Sequence, residues 1–364
     1  MKVGILGGGQ LAQMLTVAAL PLGISTLCLD PLPEVCANRV TQVMCAELND
    51  VTALQQFAEQ VDVITLETEN IPLLTMNVLK QIRPTYPNVD ALQITQDRLL
   101  EKQCCHALTI PTTEFLAVNS RNDIETAATK FGFPFLIKTR RMGYDGKGQV
   151  MIHSIADCQT AWNTVKQQAC IAEAIVKFDR ELSLIAVQNA NGDTRFYPLC
   201  ANEHYQGILR LTRVTDTQVE LQQQAETIAH KLLKHFNYVG VLTLEFFQIG
   251  QNLLVNEIAP RVHNSGHWTI EGADCSQFEN HIRAITNLPL GSTQTRGFNA
   301  MVNIIGALPT TETVLTYPQA HFHLYGKTPR PQRKLGHVTL SCDTLSSLES
   351  QLQSLQRLTG IHYG

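Results

Sequence analysis

Apolar positions change period along the chain, and the changes divide it into parts. Residues 2–6 form a short apolar run that ends in Gly7-Gly8-Gly9, after which Leu11, Met14, Leu15 and Ala18 recur at helical spacing. A second strand is predicted over 26–29, a helix through Val51, Leu54, Phe57 and Ala58, and a buried strand over 61–66. Strands and helices alternating in this way predict a parallel sheet with helices packed on it. Pro84 and Pro87 mark a loop before a helical stretch over 96–106.

The middle of the chain follows another pattern. Strands are predicted over 135–138 and 149–152, on either side of a glycine-bearing loop, and then over 171–174 and 181–187. A helix over 219–236 carries Ala225, Ile228, Ala229, Leu232, Leu233 and Phe236 on one face. Runs over 239–247 and 253–258 read as a hairpin around Ile249-Gly250-Gln251-Asn252. From residue 291 the pattern is a further α+β piece, closing on a helix through Leu345, Leu348, Leu352 and Leu355. Internal repeats and low-complexity tracts are absent from the sequence.

Composition excludes several classes. With 364 residues, 16% charged and 44% apolar, the chain has enough core for two or three domains and is not a disordered one. A net charge of −4 argues against wrapping nucleic acid or an anionic membrane. The ten cysteines include no C-x-x-C pair, which removes zinc ribbons and thioredoxin-like motifs, and scattered thiols such as Cys28 and Cys200 in apolar runs fit a reducing cytosol. Residues 3–29 carry no charge, but Gly7, Gly8, Gly9, Pro21 and Gly23 interrupt them, and Gln10 and Gln13 would be costly in lipid. The segment is therefore read as folded, with no signal peptide or membrane span.

Four places carry candidate chemistry. Gly7-x-Gly9-x-x-Ala12, with Asp30 ending the second strand, is one form of the dinucleotide fingerprint. The same glycines would serve any phosphate at a helix N-terminus, or simply a tight strand-to-helix turn. The loop over 140–149 lacks the Lys-Ser/Thr of a P-loop, and its glycines and basic residues suit a lid over triphosphate or an exposed hairpin. Lys138 ends the run Phe133-Pro134-Phe135-Leu136-Ile137 and needs an anionic partner, which a phosphate would supply.

Third, if the hairpin turn centres near Gln251, Thr243, Glu245 and Phe247 share a face with Leu253, Val255 and Glu257. That register sets Glu245 across from Glu257, and a hard divalent cation between them would explain two adjacent carboxylates in apolar surroundings. A slipped register or one protonated carboxyl would remove the need for it. Fourth, Arg261, His263, Asn264, Ser265 and His267 crowd the loop after Glu257, and Lys327, Arg330, Arg333 and Lys334 concentrate positive charge near the C-terminus. A solvated basic face and an anionic substrate both account for that run.

Lys138, the loop 143–149, Glu173, Ala174, Ile175, Val176, Glu181, Glu245 and Asn256-Glu257 together resemble the ATP-grasp superfamily. Within it the chain is similar to the N5-carboxyaminoimidazole ribonucleotide synthetases of purine biosynthesis. The resemblance rests on Gly8-Gly9-Gln10-Leu11, Thr65-Leu66-Glu67-Thr68-Glu69-Asn70, Arg141-Met142-Gly143-Tyr144-Asp145-Gly146-Lys147-Gly148-Gln149 and Asn202-Glu203-His204. It rests further on the run from Asn256 to His267, which ends in His263-Asn264-Ser265-Gly266-His267, and on Arg330-Pro331-Gln332-Arg333-Lys334-Leu335-Gly336-His337. The blocks stand in family order over nearly the whole chain. Ala12 replaces a frequent glycine, and Ala201 a frequent glutamate before Asn202.

The resemblance implies a mixed α/β and α+β fold of three-domain ATP-grasp architecture. A Rossmann-like pre-ATP-grasp domain would occupy 1–95, an ATP-grasp domain 96–290 with a lid subdomain over 110–175, and a small α+β domain 291–364. The implied reaction joins bicarbonate to 5-aminoimidazole ribonucleotide at the expense of ATP, with Mg²⁺, in a cytoplasmic homodimer with no nucleic-acid or membrane partner. By the same resemblance Arg98 and Lys138 would hold ATP phosphates, with Gly143, Tyr144, Asp145, Gly146, Lys147, Gly148 and Gln149 as cover. Glu173, Ala174, Ile175 and Val176 would meet the adenine, Glu181 and His204 the rest of the nucleoside, and Glu245 and Glu257, aided by Asn256, the metal. Tyr144, Asp145, Arg261 and His263 would be catalytic. Gly8, Gly9, Gln10, Leu11, Glu67, Glu69, Asn70, Asn264, Ser265, Lys327, Arg333 and Lys334 would bind the ribonucleotide. The alternatives are another ATP-grasp ligase, either a formate-using ribonucleotide transformylase or a biotin carboxylase-like enzyme, and a dinucleotide-dependent oxidoreductase. The last would use Gly7 to Ala12 and Asp30 and leave the Glu245/Glu257 pair unexplained.

Overall fold

The computed structural model describes residues 1–143, 146–214 and 219–359, with only the backbone of 357–359. Four parallel strands form the N-terminal sheet, in the order Gln42–Cys45, Ser25–Asp30, Lys2–Leu6 and Val63–Leu66. Gln42–Cys45 had no counterpart in the apolar pattern. It is a half-exposed edge strand and needs no unbroken apolar run.

A nine-stranded antiparallel sheet makes the body. Its path runs Asn252–Ala259, Gly240–Ile249, Arg180–Gln188, Cys200–Tyr205, Ile208–Val214, Phe298–Ile305, Lys334–Cys342 and Ala320–Leu324, with Thr194–Phe196 beside Arg180–Gln188. Thr212 pairs with Met301, so the sheet continues without a break into the C-terminal part. Alternate residues face opposite layers. Leu184, Ala186, Leu242 and Leu244 meet the helix Val219–His235 through Leu232 and Leu233, while Ile185, Val187 and Val241 meet Phe278 and Ile282 of Gln277–Ile285. Each such leucine or isoleucine, fully buried, contributes about 1.5–3 kcal/mol.

The helix Gln277–Ile285 also anchors the N-terminal sheet. Leu11, Ala12 and Leu15 of the helix Gln10–Ala19 join its apolar cluster, and the buried Thr65 Oγ1 lies 2.8 Å from His281 Nε2. Docking through this helix brings the turn at Gly7 to Gly9 and the segment Glu67 to Asn70 to the edge of the large sheet.

A third sheet, antiparallel in the order Phe115–Val118, Cys170–Ala174, Phe135–Thr139 and Gln149–Ile152, stands over the opposite side. Phe135 and Ile137 point to the helices Arg121–Phe131 and Asp157–Thr164 through Ile124, Ala128, Cys158 and Ala161. The alternate positions Leu136 and Lys138 are left facing the large sheet.

Candidate active site

The three sheets enclose a cleft of about 560 Å³. Gln10, Leu11, Glu67, Glu69 and Asn70 line it from the N-terminal sheet, and Lys138, Gly146, Lys147 and Gln149 from the small one. Glu181, His204, Glu245, Asn256 and Glu257 form its floor, with Arg98, Arg261, His263, Asn264 and Lys334 around them. The expected ligand-binding residues thus converge from both ends of the sequence. Gly8, Gly9, Gly143, Gly148, Glu173, Ala174, Ile175, Val176, Ser265, Lys327 and Arg333 are not in the lining. Tyr144 and Asp145 lie outside the described residues.

Register places the carboxylate pair. The hairpin closes with Ile249 opposite Asn252, and the ladder runs regularly to Phe246 opposite Val255. A bulge then inserts Asn256, so that Glu245 meets Glu257. This corrects the expected face: Leu254, opposite Phe247, lies with the glutamates, while Leu253 and Val255 pack into the core beneath. Burial raises Glu245, His204 opposes that rise and Glu257 adds to it. Asn256 Oδ1 is buried with no hydrogen-bond partner. Two carboxylates and an unpaired amide oxygen are a hard-oxygen donor set that fits Mg²⁺. Among the described residues no group of three or more His, Cys, Asp and Glu is arranged to hold a metal. A cation here would complete its shell with phosphate and water.

The cations are paired. Arg98 Nη1 lies 3.1 Å from Glu257 Oε2, and its Nη2 donates to Gly143 O at 3.3 Å, tying the glycine loop to the carboxylate pair. Asp97, which sequence reasoning missed, caps the helix Arg98–Ala107 and holds Arg140 through two bonds of 2.8 and 2.7 Å. Lys138 has a protein partner where a phosphate was expected: Glu173 Oε2 at 2.6 Å. Burial would raise Glu173, yet Lys138 and Lys102 bring it down to about 2. With 4% exposure its side chain is spent on these lysines. Ala174, Ile175 and Val176 lead from the small sheet into the strand Arg180–Gln188.

His204 Nδ1 lies 2.5 Å from Glu181 Oε2, and although burial opposes it, Glu181 and Glu245 raise the imidazole above its ordinary value. Arg261 grips both oxygens of Glu69, with Nη2 to Oε1 at 3.0 Å. Burial and Arg261 push His263 down to about 3. Its Nδ1 accepts the Ser265 N–H at 3.3 Å, which leaves the proton on Nε2, 3.4 Å from Glu245 Oε1. Ser265, expected to touch substrate, is fully buried and lies 2.9 Å from both His263 Nδ1 and Ser183 Oγ. Its hydroxyl is directed at these two groups and does not line the cleft.

The N-terminal turn is also corrected. Gly9, Leu11 and Ala12 donate their N–H groups to the Glu67 carboxylate at 2.6, 3.2 and 3.1 Å, and Gly8 donates to Asp30 Oδ2 at 2.8 Å. The amides that would cradle a phosphate and the carboxylate that would bind a ribose are bonded within the protein. Lys327 donates to Gln10 Oε1 at 2.6 Å and Arg333 to Thr328 O at 3.1 Å, so the C-terminal tail reaches the N-terminal turn. Leu136, Leu209 and Phe247 give the cleft apolar surface. Phe247, stacked on Phe178 at 4.6 Å, was foreshadowed by sharing a strand face with Glu245.

Comparison with known proteins identifies the family and the fold. Residues 1–96 match the ribonucleotide synthetase preATP-grasp domain, 103–278 the ATP-grasp domain, and 299–351 the phosphoribosylaminoimidazole carboxylase C-terminal domain. N5-carboxyaminoimidazole ribonucleotide synthase of Pseudomonas aeruginosa is 46% identical over 98% of this chain and 99% of that protein. The crystal structure of the synthetase from Thermus thermophilus superposes with a TM-score of 0.94 at 47% identity, over 98% of each chain. That of the Aspergillus clavatus synthase, in complex with ADP and 5-aminoimidazole ribonucleotide, gives 0.91 at 29% identity, over 99% of this chain and 98% of that one. With its three sheets, its glutamate pair and its C-terminal tail turned back on the first glycine turn, the chain belongs to the ATP-grasp superfamily and, within it, to the N5-carboxyaminoimidazole ribonucleotide synthase family.

Proposed function

We infer that the chain uses ATP to carboxylate 5-aminoimidazole ribonucleotide to N5-carboxyaminoimidazole ribonucleotide, with bicarbonate as the carboxyl source. The observation that carries this reading is the single cleft in which Glu245, Glu257, Arg98 and Lys138 meet residues of the N-terminal turn and Lys334. A bicarbonate oxygen attacks the γ-phosphorus and the bond to ADP breaks. The resulting carboxyphosphate, or CO₂ released from it, then meets the substrate amine, which loses a proton as phosphate leaves. Such chemistry depends mainly on positioning and charge neutralisation.

Arg98 and Lys138 hold phosphates beneath the loop of Gly143, Gly146, Lys147, Gly148 and Gln149, and the connector from Glu173 to Val176 meets the adenine by its backbone. Glu181 and His204 orient the ribose. Glu245, Glu257 and Asn256 Oδ1 would hold Mg²⁺, which when bound supplies positive charge against the phosphates. Arg261, fixed by Glu69, and His263, a neutral Nε2–H donor, face bicarbonate, and Tyr144 and Asp145 are assigned the same role by resemblance alone. Gln10, Leu11, Asn70, Asn264, Lys327, Arg333 and Lys334 meet the ribonucleotide, over a turn held rigid by Glu67 on Gly9 and Asp30 on Gly8.

We further propose the division 1–95, 96–290 with a lid over 110–175, and 291–364. Ten free cysteines support a reducing compartment such as the cytoplasm. Among the described residues no helix is long and apolar enough to cross a membrane. The homodimer rests on resemblance alone. The test is ADP release by the purified protein with bicarbonate and the ribonucleotide each omitted in turn. Full turnover without the ribonucleotide would overturn the assignment.

A further inference from the structure

The strand Asn252–Ala259 is the last of the large sheet, and among the described residues its outer edge meets no further strand, only an isolated bridge between Val255 and Thr112. Such an edge leaves backbone groups to be satisfied by other means. At the bulge the demand doubles. The carbonyls of Val255 and Asn256, consecutive in the chain, both accept from Lys102 Nζ, at 3.2 and 3.1 Å. One residue earlier on the helix, Glu101 Oε2 accepts the Ile258 N–H at 2.9 Å, and Val255 N–H donates to Pro111 O at 2.9 Å.

Both side chains are sealed from solvent, Lys102 at 1% and Glu101 at 2% exposure. Burying an ammonium is costly unless all three of its donors are used. Lys102 directs them at the two carbonyls and towards Glu173, 3.7 Å away. Neither residue lines the cleft. What they grip is the one stretch of backbone that decides where Glu257 points. Were the regular register of Phe246 opposite Val255 continued, Asn256 would face Glu245, and Glu257 would fall opposite Leu244 on the core side.

We propose that Lys102 and Glu101 are positioning residues for the metal pair: by holding the bulge at Asn256 they fix the register in which Glu245 and Glu257 face each other. The proposal rests on the reading of that pair as the Mg²⁺ site. Lys102 does so with no contact to either carboxylate, through the backbone alone. Its loss leaves Glu173 still paired with Lys138, so the hydrogen bonds removed are those to the two carbonyls, while Glu173 and Glu101 lose one of the positive charges that lower them.

The test is ADP binding by calorimetry on the full chain, with and without Mg²⁺. The readout is the gain in affinity that Mg²⁺ confers. Glu257→Gln, as control, should abolish that gain. If it does not, the pair is not the metal site, and the proposal falls with that reading. With the control in place, Lys102→Met should reduce the gain roughly ten- to a hundredfold, as for groups that orient metal ligands without touching the metal. ADP binding without Mg²⁺ should stay as in the wild type. A purely structural role predicts an unchanged gain, or equal losses with and without Mg²⁺, and either result overturns the proposal. Should Lys102→Met not fold, Glu101→Ala relieves a buried carboxyl and threatens folding less. It should also lower the gain, and Glu101→Gln, which keeps an acceptor for Ile258, should restore it. Wild-type gain in Glu101→Ala overturns the proposal.

Discussion

Glu67 Oε1 accepts the N–H of Gly9 at 2.6 Å and so occupies, with the protein's own carboxylate, the place a phosphate takes in a dinucleotide-binding turn. A Cβ on Gly9 would stand 2.4 Å from that oxygen. The glycine is required by Glu67 rather than by a pyrophosphate. Glu67→Ala should therefore lower unfolding free energy by about 1–3 kcal/mol, the cost of leaving buried donors unpaired at a helix N-terminus. Urea titration checks it, and an unchanged midpoint would contradict the capping role. NAD(H) should not bind the wild type in calorimetry.

Glu257→Gln should nearly abolish turnover and weaken Mg²⁺-nucleotide binding, because the phosphoryl transition state loses counter-charge. Without metal its stability should stay close to wild type. Relief of the repulsion with Glu245 opposes loss of the 3.1 Å pair with Arg98. Ordinary turnover at ordinary Mg²⁺ would remove the pair from the mechanism.

Arg333→Ala should raise the Michaelis constant for 5-aminoimidazole ribonucleotide and leave that for ATP almost unchanged. A charged hydrogen bond to the 5′-phosphate contributes about 1.5–3 kcal/mol, roughly one to two decades of affinity. Lys327, half-buried against Gln10, should behave likewise. Steady-state kinetics with each substrate varied separately tell this from a solvated basic run, which predicts no change in either constant.

Glu101 supplies a pH prediction. Burial, and then the Glu257 carboxylate, push it from 4.5 up to about 8. Between those values the folded chain keeps a proton that the unfolded chain has released, so stability falls as pH rises and levels off above the folded value. Glu101→Gln keeps the acceptor for Ile258 and lacks the titration. Its advantage over wild type in urea unfolding should grow from pH 5 to pH 8, by on the order of a few kcal/mol. A difference that is flat with pH would show that Glu101 stays ionised when buried.

The alternation of apolar residues was enough to place three of the four parallel N-terminal strands, the helix Val219–His235 and the hairpin of the glutamates, because each buries one face and must repeat with its own period. The blocks around Lys138, Glu245, Glu257 and His263 were likewise legible, since their residue types are costly in apolar surroundings without a ligand or partner. Which partner each takes was not written there. Glu173 on Lys138, Glu67 on Gly9 and Ser265 on His263 join positions 35, 58 and 2 residues apart, and only packing decides them. The register of Glu245 and Glu257 is the clearest instance. Alternation alone does not reveal that one residue is inserted, and the insertion holds because a helix more than 150 residues earlier brings Lys102 to its two carbonyls. Sequence by itself determined which side chains needed a charged partner, a ligand or burial. The tertiary structure decided which of them meet, because those contacts depend on which strands pair, in what register, and on how loops and helices pack against them, and not on any local period.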